Sequence, residues 1–246
     1  VDSAQTLRSF QRSQPTPILN DHMIHPFPFH IISPTCLLWL CLATASHAQT
    51  SQHTFVFLHK RTDLPPTAKE QVDRLMQGHL ANIDRLAKEG KLVTAGPFDG
   101  GGGIFIFNSG SVVQVQEWLA TDPAIQAQRW HVEILPYYVQ AGNPTLVAEP
   151  YDMVTYPLVH FKPTVSKFNV QAASEILGAQ REFVAKLINT GNVVAAGWFG
   201  GLDGAIVIMR GQVAEEVLIA SPAVQAALFT PEVKKLWIAK GAFGEK

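Results

Sequence analysis

The chain has 246 residues, of which 47% are hydrophobic and 16% charged, enough apolar material for a packed core and too much for a wholly disordered chain. Nineteen basic and 20 acidic residues give a formal net charge of -1, so no general electrostatic pull draws it to nucleic acid or an anionic membrane. Two cysteines exclude a dense disulfide framework.

The first fifty residues differ from the rest. An apolar run from Ile31 to Ala43 is far shorter than the ~20 residues a membrane-spanning helix needs. Thr44-Ala45-Ser46-His47-Ala48-Gln49 follows, with small residues at Ser46 and Ala48 as in a signal-peptide cleavage site. Residues 1–48 therefore read as a leader, with cleavage after Ala48, no stable membrane span after processing, and a periplasmic or secreted product. No Lys or Arg lies between Met23 and the apolar run; Met23 is a candidate true start, and a buried or anchoring N-terminal segment is the alternative. Both Cys36 and Cys41 fall in this leader, so the expected mature chain has no thiol chemistry.

Thr54-Phe55-Val56-Phe57-Leu58 is aromatic and β-branched and predicts a strand. Asp63-Leu64-Pro65-Pro66-Thr67 breaks the chain ahead of a helix. Val72, Leu75, Met76, His79, Ile83 and Leu86 lie on one face of that helix, and Gly90 ends it. Strands follow at 92–95 and 104–107, then a short helix from Val113 to Leu119 and a last strand from Trp130 to Tyr137. The run Gly100-Gly101-Gly102-Gly103 is followed by a strand rather than a helix, so it predicts a connection, not a phosphate loop.

This pattern occurs twice. Gly90-Lys91-Leu92-Val93-Thr94-Ala95-Gly96-Pro97-Phe98 matches the stretch Gly191 to Phe199, 101 residues on. Pro123-Ala124-Ile125-Gln126-Ala127 matches Pro222 to Ala226, 99 residues on. The expected organisation is one unit at 53–140, a linker at 141–152 and a second unit at 153–246. The order β-α-β-β-α-β in each is the ferredoxin-like arrangement, with both helices on one face of a four-stranded sheet. The fold class is therefore α+β, and the second unit is expected to cover the open sheet face of the first.

Two polar residues carry the candidate chemistry. His79 interrupts the apolar stripe of the first helix; it is either a hydrogen-bonded core histidine or a proton-handling group. Asp122 precedes Pro123, which suits a helix cap followed by proline at the first position. The second unit has Gln180 and Ser221 at these two positions, and serine is expected to take over the cap. Joint loss of imidazole and carboxylate fits a pair that acts together, the carboxylate fixing the tautomer while the ring exchanges protons. His59 and His160, near the first strand of each unit, read as edge or sheet-face polar residues; Lys60 and Arg61 as a solvated strand end able to meet an anion; and Trp118, Trp130, Trp198 and Trp237 as core or interface aromatics. No histidine spacing suggests a metal site, and no cofactor is implied.

Phe55-Val56-Phe57-Leu58, His79-Leu80, the stretch Glu89 to Phe98, Asp122-Pro123 and the closing Val132 to Tyr137 together resemble the YCII-related (YciI-like) family over nearly all of 53–140. The second unit resembles it more weakly, keeping Ala196-Gly197-Trp198-Phe199. The resemblance implies a dimeric α+β barrel, here an intramolecular pseudo-dimer, with a site made of His79 and Asp122. The function expected is lyase- or isomerase-type proton transfer on a small organic molecule in one active cleft. The alternative is a non-catalytic barrel that binds a small molecule or only packs, with haem binding a lesser possibility.

Overall fold

The computed structural model describes residues 52–164 and 170–245, all within one unit, His47–Lys246. The expected leader, its cleavage point and both cysteines lie outside the described residues. The first half runs β1 (His53–Lys60), α1 (Lys69–Lys88), β2 (Leu92–Pro97), β3 (Gly103–Phe107), α2 (Val112–Leu119), α3 (Pro123–Gln126) and β4 (Trp130–Ala141). The second repeats the order with β5 (Met153–Pro163), α4 (Val170–Asn189), β6 (Val193–Trp198), β7 (Ala205–Met209), α5 (Glu215–Ile219), α6 (Pro222–Gln225) and β8 (Phe229–Ala239).

Local chemistry explains most boundaries. Glu70 in the first turn of α1 and Arg85 and Lys88 in its last complement the helix dipole. Gly90, at φ +68°, turns the chain out of the helix, as its position in the sequence predicts. Ser111 caps α2 by accepting from the Gln114 N–H. In the glycine run, Gly102 combines φ +80° with a position where a Cβ would lie 2.2 Å from the Leu58 carbonyl oxygen. The run is therefore a close backbone crossing between β2 and β3.

Among the described residues the eight strands form one antiparallel sheet in the order β2-β3-β1-β4-β6-β7-β5-β8. The halves join where Tyr138 and Val139 of β4 pair with Trp198 and Gly197 of β6. The two outer edges also meet, through a bridge between Phe98 and Leu236 and a bond from the Asp99 N–H to the Lys235 carbonyl. This second seam is the thinner one. Pro97 stands in β2 where β6 has Trp198, and proline has no N–H to offer a neighbouring strand.

Side chains alternate along each strand, so each strand feeds two cores. Phe55, Phe57, Ile104 and Ile106 of the first half pack with Leu158, Ile206, Leu236 and Ile238 of the second on the face the halves share. Val56, Leu58, Phe105 and Phe107 turn the other way, into a core beneath the helices of the first half. Val159, Phe161, Val207 and Phe229 do the same in the second. Burial of both faces explains why β1 is an unbroken apolar run rather than an alternating one.

Candidate functional site

His79 projects from the middle of α1 toward the sheet face beneath the helices. Its ring lies 4.8 Å from that of Trp130 and 5.8 Å from that of Phe105, and the residue is 6% exposed. Asp122 ends the turn after α2 and starts α3. Its Oδ1 accepts from the N–H groups of Ala124 (2.9 Å) and Ile125 (3.1 Å), capping α3 as its position before Pro123 predicts. Its Oδ2 accepts from His79 Nδ1 at 2.7 Å. One carboxylate thus makes both contacts considered for it, one with each oxygen. Burial pushes its acidity down, but the His79 ring and the two backbone donors outweigh that and hold its pKa below the usual range.

A second-half counterpart occupies the equivalent place. Gln180 and Ser221 are fully buried, and Ser221 donates to Gln180 Oε1 at 2.7 Å. The expected serine cap is not formed: Ser221 makes no side-chain bond to the start of α6. Gln180 Oε1 accepts from the Ala223 N–H instead, at 3.2 Å. The glutamine reaches across from α4 because its side chain is longer, and the serine hydroxyl is drawn to it. Gln180→Leu is expected to cost about 2 kcal/mol and Ser221→Ala about 1 kcal/mol or less, reversing the order expected of a serine cap. Urea denaturation of the two variants measures this.

The pair does not lie where an active cleft between the two halves would put it. His79 and Asp122 sit in the helix–sheet layer of the first half, because α1 faces the side of the sheet that carries Phe105, not the side shared by the halves. A cavity of about 480 Å³ lies nearby, between Ile83 and Ala87 of α1, Leu92–Ala95 of β2 and the linker residues Leu146–Glu149. Neither it nor a second one of about 520 Å³ at Tyr138, Arg181 and Trp198 is lined by His79 or Asp122.

Residues 40–137 match the family model of the YCII-related domain. That match contains β1 to α3, most of β4, and therefore both His79 and Asp122. Among solved structures the chain is similar to a "Putative monooxygenase" from Fusobacterium nucleatum subsp. nucleatum ATCC 25586, at 7% identity and a TM-score of 0.39, covering 76% of this chain and 91% of that one. So loose a likeness transfers no activity. No curated protein matches the chain.

Sequence reasoning missed the polar surroundings of the His79–Asp122 pair. Asn82, 7% exposed, lies three residues after His79 on the same helix face, and its Nδ2 is 3.4 Å from Asp122 Oδ2. The signal was available, since the repeat aligns Asn82 with Phe183. Arg61 is engaged by Asp63 in a two-pronged pair and by the Gln128 carbonyl, so its guanidinium is already occupied. Trp237 is 51% exposed, which leaves the interface half of its core-or-interface reading. His59 pairs with Glu133 at 2.7 Å, and that bond holds the Glu133 carboxyl below its usual pKa. Among the described residues no group of three or more histidine, cysteine or acidic side chains gathers to hold a metal. None of the helices among them is long and apolar enough to cross a membrane.

Proposed function

We propose that the protein is an exported, YciI-like enzyme that moves a proton on a small organic molecule, in lyase- or isomerase-type chemistry. It is built from two tandem ferredoxin-like units, 53–140 and 153–246, forming an intramolecular version of a dimeric α+β barrel. The observation that carries the reading is the 2.7 Å contact between His79 Nδ1 and a buried, ionised Asp122. With Nδ1–H donated to the carboxylate, the neutral ring keeps a lone pair on Nε2. That nitrogen takes a proton from the substrate, and Asp122 stabilises the resulting imidazolium. At the equivalent place the second unit has Gln180 and Ser221, neither of which can accept a proton near neutral pH, and it serves as the scaffold's other half.

A second reading has its own support. Neither described cavity is lined by His79 or Asp122, which favours a non-catalytic barrel in which the pair is structural and a ligand sits elsewhere. The double variant His79→Gln/Asp122→Ser separates the two. It copies the pair that already packs at the equivalent place in the second half, so it is expected to fold. Wild type is expected to catalyse deuterium incorporation from heavy water into at least one member of a panel of carbon acids, read by mass spectrometry, and the double variant to lose it. A retained small molecule bound equally by both proteins, with no exchange in either, supports the binding reading.

A further inference from the structure

The contact between His79 and Asp122 is the inner end of a longer chain of polar groups. Asn82 Nδ2 reaches the same Asp122 oxygen that receives the histidine, at 3.4 Å. Asn82 Oδ1 accepts from Arg85 Nη2 at 2.8 Å and lies 3.0 Å from Thr121 Oγ1. Thr121 Oγ1 in turn lies 2.6 Å from the Trp118 carbonyl and accepts from Arg85 Nη2 at 2.8 Å. A hydroxyl has one hydrogen, and the shorter bond to Trp118 takes it, so Arg85 is the donor that fixes the asparagine oxygen. With the oxygen fixed, the amide nitrogen of Asn82 must face Asp122. Arg85 also binds Glu89 at 2.7 Å, anchoring the outer end of the chain at the surface.

The second half shows what happens where the acid–base pair is missing. At positions equivalent to His79, Asn82, Arg85, Thr121 and Asp122 it has Gln180, Phe183, Lys186, Ala220 and Ser221. Packing alone does not require Asn82 and Thr121, since α4 packs on α6 with phenylalanine and alanine there, and the short helix still forms. All five positions differ between the two halves.

We propose that Asn82 is the positioning residue of this site: oriented by Arg85, it holds Asp122 Oδ2 in line with His79 Nδ1 and so keeps the histidine in the Nδ1–H tautomer. This rests on the proton-transfer reading of the pair and adds to it the group that sets the geometry. Arg85 acts through Asn82, and Thr121 closes the arrangement as an acceptor.

The test is nitrogen–proton correlation NMR of the His79 ring in the full chain, reading which nitrogen carries the proton and how fast the Nδ1–H exchanges with water. Wild type is expected to show a protected Nδ1–H. Asn82→Ala and Arg85→Met are expected to speed its exchange by about tenfold, the worth of one hydrogen bond to a charged group, and to mix the tautomers. Arg85→Lys, which keeps a donor, is expected to restore the wild-type spectrum. Arg85 is 43% exposed at its side chain, so Arg85→Met decides the matter if Asn82→Ala fails to fold. If both variants leave tautomer and exchange unchanged while Asp122→Asn alters them, the role of Asn82 is refuted and the pair stands. If Asp122→Asn also alters nothing, the proton-transfer reading fails with it.

Discussion

Lowering the pH from 6.5 to 4 is expected to remove roughly 3 kcal/mol of folding stability through one histidine, His160. His160 is 2% exposed, and neither ring nitrogen has a hydrogen-bond partner among the described residues. Its ring stacks on Phe57 at 4.3 Å and meets Phe199 edge-on at 5.8 Å. Burial among these rings pushes its pKa down from 6.5 to about 4. Glu133 and Glu232 face it from β4 and β8 and favour its charge; Lys162 on its own strand and His59 on β1 oppose it. Because the folded pKa is below the unfolded one, the unfolded chain binds the extra proton first. Stability is therefore full above pH 6.5, falls as the pH drops toward 4, and then levels off for this group. Asp122, Glu133 and Glu232 also have lowered pKa values, but their ordinary values are 3.8 and 4.5, so their losses begin only at the acid end of that window and continue below it. The register supplies a control. Phe57 pairs with Ile104 and Glu133 as His160 pairs with Ile206 and Glu232, so the two occupy matching places in the two halves. His160→Phe is expected to fold and to lose the slope between pH 6.5 and 4 in urea denaturation. A variant that keeps the wild-type slope assigns it to other groups.

Asp122→Ala is expected to destabilise the protein by about 3 kcal/mol, because each buried group left without its hydrogen-bond partner costs roughly 1–3 kcal/mol. The residue is 1% exposed. Its removal leaves the N–H groups of Ala124 and Ile125 and the Nδ1 of His79 without their acceptor in a buried layer. The lost cap alone accounts for about 1 kcal/mol of this. Asp122→Asn keeps one oxygen for the cap and is expected to cost well under half as much. Equilibrium unfolding in urea at pH 7, with the denaturant slope unchanged, measures both. Equal losses in the two variants would mean that the cap contributes nothing and the charge everything.

The sequence carried much of the local structure, because local structure is written in local chemistry. The aromatic and β-branched run at 54–58, the apolar stripe from Val72 to Leu86, the glycine at 90 and the Asp-Pro step at 122 each specify an element over a few residues. The match between the stretches beginning at Gly90 and Gly191 anticipated that the order of elements would recur. It also exposed the exchange of His79 and Asp122 for Gln180 and Ser221. Asn82 escaped attention because a lone asparagine on a helix face has no spacing signature. Its meaning depends on Arg85, Thr121 and Asp122, the last two nearly forty residues away in sequence.

What the chain alone determined is the repertoire: α+β elements in a repeated order, and one half with an imidazole and a carboxylate that the other lacks. Tertiary structure decided the arrangement. It joined the strands into one sheet through β4 and β6, thinned the opposite seam at Pro97, and set the His79 pair beneath the helices rather than between the halves. It stacked His160 on Phe57 and moved the α6 cap from Ser221 to Gln180. These outcomes rest on strand register and on contacts between residues 40 or more apart, and no short window of sequence contains both partners of such a contact.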